Sequence, residues 1–199
     1  MIKQLYIEKE VFEKKDYTTE SFPKGSYENC RFLHCNFSNV DLSDCKFISC
    51  EFTGCNLSLA RILSTAFREV VFRDCKMLGL PFEQCHSLGI AFSFENCMLN
   101  HSSFYKLNIK KTVFRHTQLQ ETDFTECDLT GALFDDCDLK RAVFDNTVLE
   151  KCDFRTSHNY SIDPEINRIK KAKFSLPEVL GLLDKYDIEI DVWNNLRFK

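Results

Sequence analysis

The sequence predicts an all-β solenoid, a rod of stacked four-sided coils, and three observations predict it. From Phe114 to Phe154 a large apolar residue falls every fifth position, alternating Phe and Leu: Phe114, Leu119, Phe124, Leu129, Phe134, Leu139, Phe144, Leu149, Phe154. Two residues before each stands something small, as in Thr112, Thr117, Cys127, Ala132 and Cys137. Reading every twentieth residue returns like residues: Phe94, Phe114, Phe134, Phe154, and likewise Phe12, Phe32, Phe52, Phe72. Neither a helix nor a flat strand has a five-residue period. A fixed short repeat is the mark of a chain in which each coil buries its inner face against the next. Identical residues at twenty mean four five-residue sides to the coil. Spaced like hydrogen-bonded strands, about 4.8 Å apart, the coils between 12 and 154 number about seven and make a rod of roughly 34 Å.

Taken in order, residues 1–11 precede the clear beat, and Ile2, Leu5 and Ile7 read as a cap on the first coil. The repeat occupies 12–158. Its large positions run Phe12, Tyr17, Phe22 and onward to Phe82, then resume at Phe94. Twelve residues separate Phe82 from Phe94 where ten would keep step, so a two-residue slip sits in the joint 83–93, around Gly89. Six glycines and four prolines are too few to turn every corner, so the corners turn on ordinary residues in a regular conformation. Residues 159–199 leave the pattern and form a C-terminal cap and dimerisation segment. Within it, Ser175-Leu-Pro-Glu178 has the form of a capping box. Leu176, Val179, Leu180 and Leu183 then fall at the spacing of a short amphipathic α-helix. Ile188, Ile190 and Val192 alternate with Glu189 and Asp191 in a closing strand. The face made by Leu176, Val179, Leu180, Leu183, Ile188 and Ile190 either caps the last coil alone or also meets a second copy of itself in a twofold dimer.

Composition bounds the function. No apolar run is long enough to span a membrane, and the charged N-terminus lacks the apolar core of a signal peptide. The expected location is cytoplasmic. All eleven cysteines fall on the small inward position or its in-step equivalent, where buried thiols act as small hydrophobes rather than as disulfides or zinc ligands. The five histidines, His34, His86, His101, His116 and His158, show no paired-ligand spacing, and no glycine-rich phosphate loop is present. A core filled by nineteen Phe leaves no interior pocket, so neither catalysis nor a cofactor is expected.

Charge is distributed unevenly. Between 121 and 153 ten acids (Glu121, Asp123, Glu126, Asp128, Asp135, Asp136, Asp138, Asp145, Glu150, Asp153) stand against Lys140, Arg141 and Lys151, net −7 over 33 residues. All occupy outward positions. They read either as a partner-binding surface or as the charged exterior that any solenoid needs. A third reading is a ladder, since Glu95, Arg115, Asp135 and Arg155 alternate in sign at twenty-residue spacing. Two basic clusters, Lys106, Lys110, Lys111 and Arg115, and Arg168, Lys170, Lys171 and Lys173, read as solvated surface or partner salt bridges. Direct nucleic-acid binding is not expected, because the aromatics turn inward and the chain carries net charge −4.

Segments such as CDLTGALF, CDLKRAVF and CNFSNVDL resemble the pentapeptide-repeat pattern, which implies a right-handed quadrilateral parallel β-helix. Within that family the joint CHSLGIAF, the chain length and the tail SLPEVLGLLDKYDIEID resemble the Qnr-type quinolone-resistance proteins. That resemblance implies a homodimeric rod mimicking duplex DNA, which binds the type II topoisomerases DNA gyrase or topoisomerase IV and relieves fluoroquinolone poisoning. Many such proteins carry protruding loops linked to protection; the unbroken spacing here leaves no room for them, and loopless relatives inhibit gyrase instead. The alternative is a pentapeptide-repeat scaffold for another protein, with no action on topoisomerases.

Overall fold

The structure, a computed structural model, describes residues 5–191. Eleven short strands follow one another: β1 (Leu5–Glu8), β2 (Val11–Glu13), β3 (Gly25–Glu28), β4 (Arg31–Leu33), β5 (Lys46–Ile48), β6 (Glu51–Thr53), β7 (Ala66–Arg68), β8 (Val70–Arg73), β9 (Phe92–Glu95), β10 (Val113–Arg115) and β11 (Leu133–Asp135). All pair in parallel. One sheet, ordered β11-β10-β9-β8-β6-β4-β2, forms the first side of a four-sided rod; a second, ordered β1-β3-β5-β7, forms the fourth side. Sides two and three, and the fourth side beyond the joint, are held by isolated parallel bridges such as Asn36↔Asn56, Ser103↔Asp123 and Asn108↔Asp128. Phe12 pairs with Phe32, Phe32 with Phe52 and Phe114 with Phe134, the twenty-residue register read from the sequence.

Each side repeats one burial rhythm, seen at 122–126: Thr122 in, Asp123 half out, Phe124 in, Thr125 half out, Glu126 exposed. Two outward positions thus flank each central residue, and a corner residue follows. The central rings form continuous stacks along the axis. On the first side Phe94, Phe114, Phe134 and Phe154 lie 5.3, 5.0 and 4.7 Å apart and nearly parallel. The third side's Phe104, Phe124 and Phe144, each 5.2 Å from the next, meet that stack edge-on. Edge-to-face and offset contacts are the favoured geometries of aromatic pairs.

The corners do turn regularly, but in the left-handed region. The fifth residue of nearly every side has positive φ, from 47° to 63° when it is not glycine, as at Asn29, Asp74, His101, Glu126 and Lys151. Such residues cost roughly 1 kcal/mol apiece, and the hydrogen-bond ladder between coils offsets that cost.

The joint behaves as its spacing predicts. Phe72 pairs with Phe94 at an offset of twenty-two, and the two extra residues lie in the turn around Gly89, φ 74°. Here Phe92 takes a position that elsewhere holds a small residue; its ring lies 5.1–6.0 Å from Phe82, Phe94 and Phe104 and fills the core where no central residue is supplied.

The ends differ from expectation. Ile2 lies outside the described residues, but β1 within the supposed cap already pairs in register, with Ile7 opposite Tyr27. At the other end the coil continues past His158. Bridges Val148↔Arg168 and Asp153↔Lys173 persist, and Phe174 stacks on Phe154 at 5.5 Å. Asn167 takes the small inward position there, with Nδ2 donating to the Phe144 carbonyl at 2.9 Å and Oδ1 accepting from Thr147 N at 2.8 Å.

The expected α-helix is instead two 3-10 turns, Glu178–Leu182 and Asp184–Tyr186. The Gly181 carbonyl, which an α-helix would spend on Lys185, accepts from Ile162 N of the last coil at 2.9 Å. A β-carbon on Gly181 would collide with the Tyr160 carbonyl, so the segment is clamped flat on the coil. The capping box does not form either: the turn has no side-chain cap, and Glu178 accepts from Asn159 N at 3.3 Å. Residues 188–191 are exposed and form no strand; Val192 lies outside the described residues. No helix among the described residues is long and apolar enough to cross a membrane.

Candidate partner-binding surface

The eight acidic candidates do not gather on one face. Asp135 lies on the first side, Asp138 on the second, Asp123 and Asp145 on the third and Asp128 on the fourth, as the registers Ser103↔Asp123, Gln118↔Asp138 and Asn108↔Asp128 require. Asp136, Glu121 and Glu126 occupy the three corners between them, all with positive φ.

Three of the eight hold the fold together. Asp123, Asp128 and Asp138 stand just before a central residue, and each accepts through Oδ1 the backbone N–H two residues on, from Thr125 (2.8 Å), Thr130 (3.0 Å) and Lys140 (3.1 Å). Asn36 and Asn56 do the same to Ser38 and Ser58 at 3.2 and 3.1 Å. A short carboxylate or amide satisfies the N–H that the approaching corner leaves free. Aspartate here is a turn-former before it is a charge.

Most of the eight meet a lysine, arginine or histidine from the adjacent coil. Glu121 contacts Arg141 at 3.3 Å and His101 at 3.2 Å; Glu126 contacts Lys106 at 3.4 Å; Asp128 contacts Lys110 at 3.0 Å. Asp135 contacts Arg115 at 3.0 Å and Asp136 contacts His116 at 2.9 Å. Hydrogen bonds from Arg115 and then Thr156 hold the Asp135 carboxyl below its ordinary range. Burial opposes ionisation of Asp138, yet hydrogen bonds from Asn159, Gln120 and the Lys140 backbone outweigh it and leave that carboxyl low as well. The sign ladder closes at Arg115–Asp135, while Arg155 turns to Asp153 on its own side at 2.8 Å. Asp138 lies 4.0 Å from His158, and of the eight only Asp123 and Asp145 have no lysine, arginine or histidine contact among the described residues.

Counting whole coils moderates the acidity. Residues 95–155 hold eleven acids and eight lysines and arginines, net −3. Over three coils that is one net charge per roughly 5 Å of axis, against about 1.7 Å for duplex DNA.

All eleven cysteines are free and buried. Their thiols donate to carbonyls of the coil before, as Cys55 to Phe32 O (3.3 Å), Cys75 to Phe52 O (3.4 Å) and Cys137 to Phe114 O (3.4 Å). Thr147 and Ser157 make the same bond through hydroxyls at 2.8 Å, which explains why Cys, Thr and Ser exchange at this position. Burial pushes the Cys137 and Cys152 thiols up to about 12, away from thiolate chemistry.

In the C-terminal segment Leu176 is 77% exposed, and Leu180, Ile188 and Ile190 are also exposed, while Val179 and Leu183 are half-buried. Leu180, Leu183, Ile188 and Ile190, with Asp184 and Asp187, line an open groove of about 360 Å³. Within the 3-10 turns at 178–186 the apolar side chain that packs on the core is Leu182, which the helical spacing did not single out.

The family profile described as a pentapeptide repeat region matches residues 26–93 and 90–160, overlapping at the joint. The chain belongs to the pentapeptide-repeat family. No curated protein matches it. Among solved structures, a trypsin-treated variant of QnrB1, a plasmid-mediated fluoroquinolone resistance protein, superposes with a TM-score of 0.58 at 17% identity, covering 94% of this chain and 98% of that one. A second trypsin-treated QnrB1 variant gives 0.57 at 18% identity, covering 96% and 100%. At such identities the likeness is one of fold: a pentapeptide-repeat solenoid of nearly the same extent.

Proposed function

We propose that this pentapeptide-repeat rod is a non-enzymatic binding protein that docks on a type II topoisomerase, DNA gyrase or topoisomerase IV, in place of duplex DNA. The observation that carries the reading is the near-complete mutual coverage with a fluoroquinolone resistance protein, first coil to C-terminal cap. An unbranched rod with acids on every side suits a site built to hold a charged cylinder. The eight acids named above, Asp123 and Asp145 among them without a basic neighbour among the described residues, would make the contact. The exposed Leu176, Leu180, Ile188 and Ile190 would join two copies at their C-terminal ends, in the cytoplasm where the enzyme works.

A second reading, a scaffold for a different protein partner, is favoured by one observation: pairing between coils leaves the second block with about a third of the axial charge density of DNA. One titration separates the two. Purified protein is added to a gyrase supercoiling reaction with and without ciprofloxacin. Restored supercoiling in the presence of drug supports binding with protection. Inhibition without restoration supports the mimic and removes resistance. No effect of micromolar protein on gyrase or topoisomerase IV leaves the scaffold.

A further inference from the structure

Parts of the two basic clusters, Lys110 and Lys111 from one and Arg168, Lys170, Lys171 and Lys173 from the other, are brought by the coil to a single corner of the rod together with Lys151. Lys111, Lys151 and Lys171 all have positive φ and occupy the same corner, between the fourth and first sides, in different coils. Gly131 holds that corner in the coil between Lys111 and Lys151, and Lys170 stands beside Lys171. These four lysines are exposed and take part in no ion pair among the described residues. By contrast Lys106, Arg115, Arg141 and Arg155 each hold an acid, and the one other unpaired lysine of this half among the described residues, Lys140, stands alone on the second side. Three further cations flank the corner, and each already has a carboxylate: Lys110 with Asp128, Arg168 with Glu150, Lys173 with Asp153. Seven cations thus face three acids along one edge of a chain whose net charge is −4.

We propose that this lysine ridge is a binding site for the phosphate backbone of duplex nucleic acid, independent of any topoisomerase contact. The ridge is straight, because corner positions stack along the axis. From Lys111 to Lys171 it spans three coils, about 14 Å, a length over which one DNA strand carries about four phosphates. Four unneutralised ammonium groups therefore meet about four phosphates. Between those lysines no large apolar side chain is exposed, which disfavours insertion into a lipid surface. No exposed aromatic ring lies there to stack on unpaired bases, which disfavours a single strand. Contacts of this kind carry no sequence information.

The test is fluorescence anisotropy of a labelled 20-base-pair duplex of arbitrary sequence, titrated with the full chain from low to physiological salt. With four phosphate contacts the slope of log K against log salt is about −3.6. The triple variant Lys111→Glu, Lys151→Glu, Lys171→Glu loses on the order of a hundredfold in affinity, whereas the equally exposed pair Lys106→Glu, Lys140→Glu changes it less than about threefold. Circular dichroism checks that the triple variant is folded; if it is not, Lys151→Glu alone flattens the slope by about one. Absence of duplex binding at about 50 mM salt would overturn the proposal. So would an equal loss in the control pair, or ridge-dependent binding to phosphatidylserine vesicles that exceeds binding to the duplex.

Discussion

Replacing Phe124 by alanine tests whether the rod's core is a set of stacks held at fixed spacing. Phe124 is fully buried, with parallel rings 5.2 Å away on both sides (Phe104, Phe144) and edge-on rings at 6.0 Å (Phe114, Phe134). Core Phe→Ala changes cost about 3–5 kcal/mol, the spread reflecting how far the site can collapse. Here it can collapse little. Phe104 N donates to Asp123 O at 2.8 Å and Phe124 N to Val143 O at 2.9 Å, so the backbone ladder holds the neighbouring coils apart. The expected loss lies at the upper end, about 4–5 kcal/mol. In a urea titration followed by circular dichroism, with a slope of about 2 kcal/mol/M, the midpoint falls by about 2 M and the slope is unchanged. A loss below about 2 kcal/mol would mean that the coils close over the gap, and the argument from a rigid ladder would be wrong.

Three further outcomes are expected. Asp123→Asn keeps the bond to Thr125 N and stays within about 0.5 kcal/mol of the parent, while Asp123→Ala loses it and costs about 1 kcal/mol; equal melts for the two would remove the turn-forming role. Gly181→Ala drives a methyl into the Tyr160 carbonyl, so hydrogen exchange over 178–186 accelerates while the solenoid's spectrum is retained; unchanged protection would show that the clamp yields. The hydrogen bond from Arg155 is the main cause that holds Asp153 at about 2, below its ordinary 3.8. Because the folded value is the lower, this carboxylate's contribution is present above about pH 4 and disappears as pH falls through about 2. Asp153→Asn should therefore cost about 1 kcal/mol at neutral pH and flatten the acid limb of the stability curve, and an unaltered acid limb would contradict the assignment.

The fold was legible because a five-residue beat has one physical meaning, and Phe94 over Phe114 over Phe134 fixes the register without any long-range information. The joint was legible for the same reason: a slip in the beat at 83–93 must be an insertion in the coil. The last coil was hidden because Pro164 and Asn167 break the beat while the Ile169 and Phe174 positions keep it. The C-terminal turns were misread as an α-helix because spacing reports the apolar face and not the competing acceptor: Ile162 takes the Gly181 carbonyl from outside the segment. The candidate surface was least legible. A local count of charge sees Asp135 and Glu126 but not Arg115 and Lys106, which lie twenty residues away in sequence and one coil away in space. The same blindness split the lysine ridge into two unrelated clusters.

The ladder that fixes the register also sets how the molecule yields to force. Every bond between coils runs along the rod, so tension applied to the two ends loads one coil's bonds at a time, as in peeling tape, rather than all of them together in shear. Each coil released frees twenty residues, about 6 nm of extended chain once its own rise is subtracted. A pulled rod would therefore lengthen in equal low-force steps, with an irregular one of twenty-two residues at the joint. Stiff against bending yet weak against peeling, it is suited to occupying a groove and unsuited to bearing load.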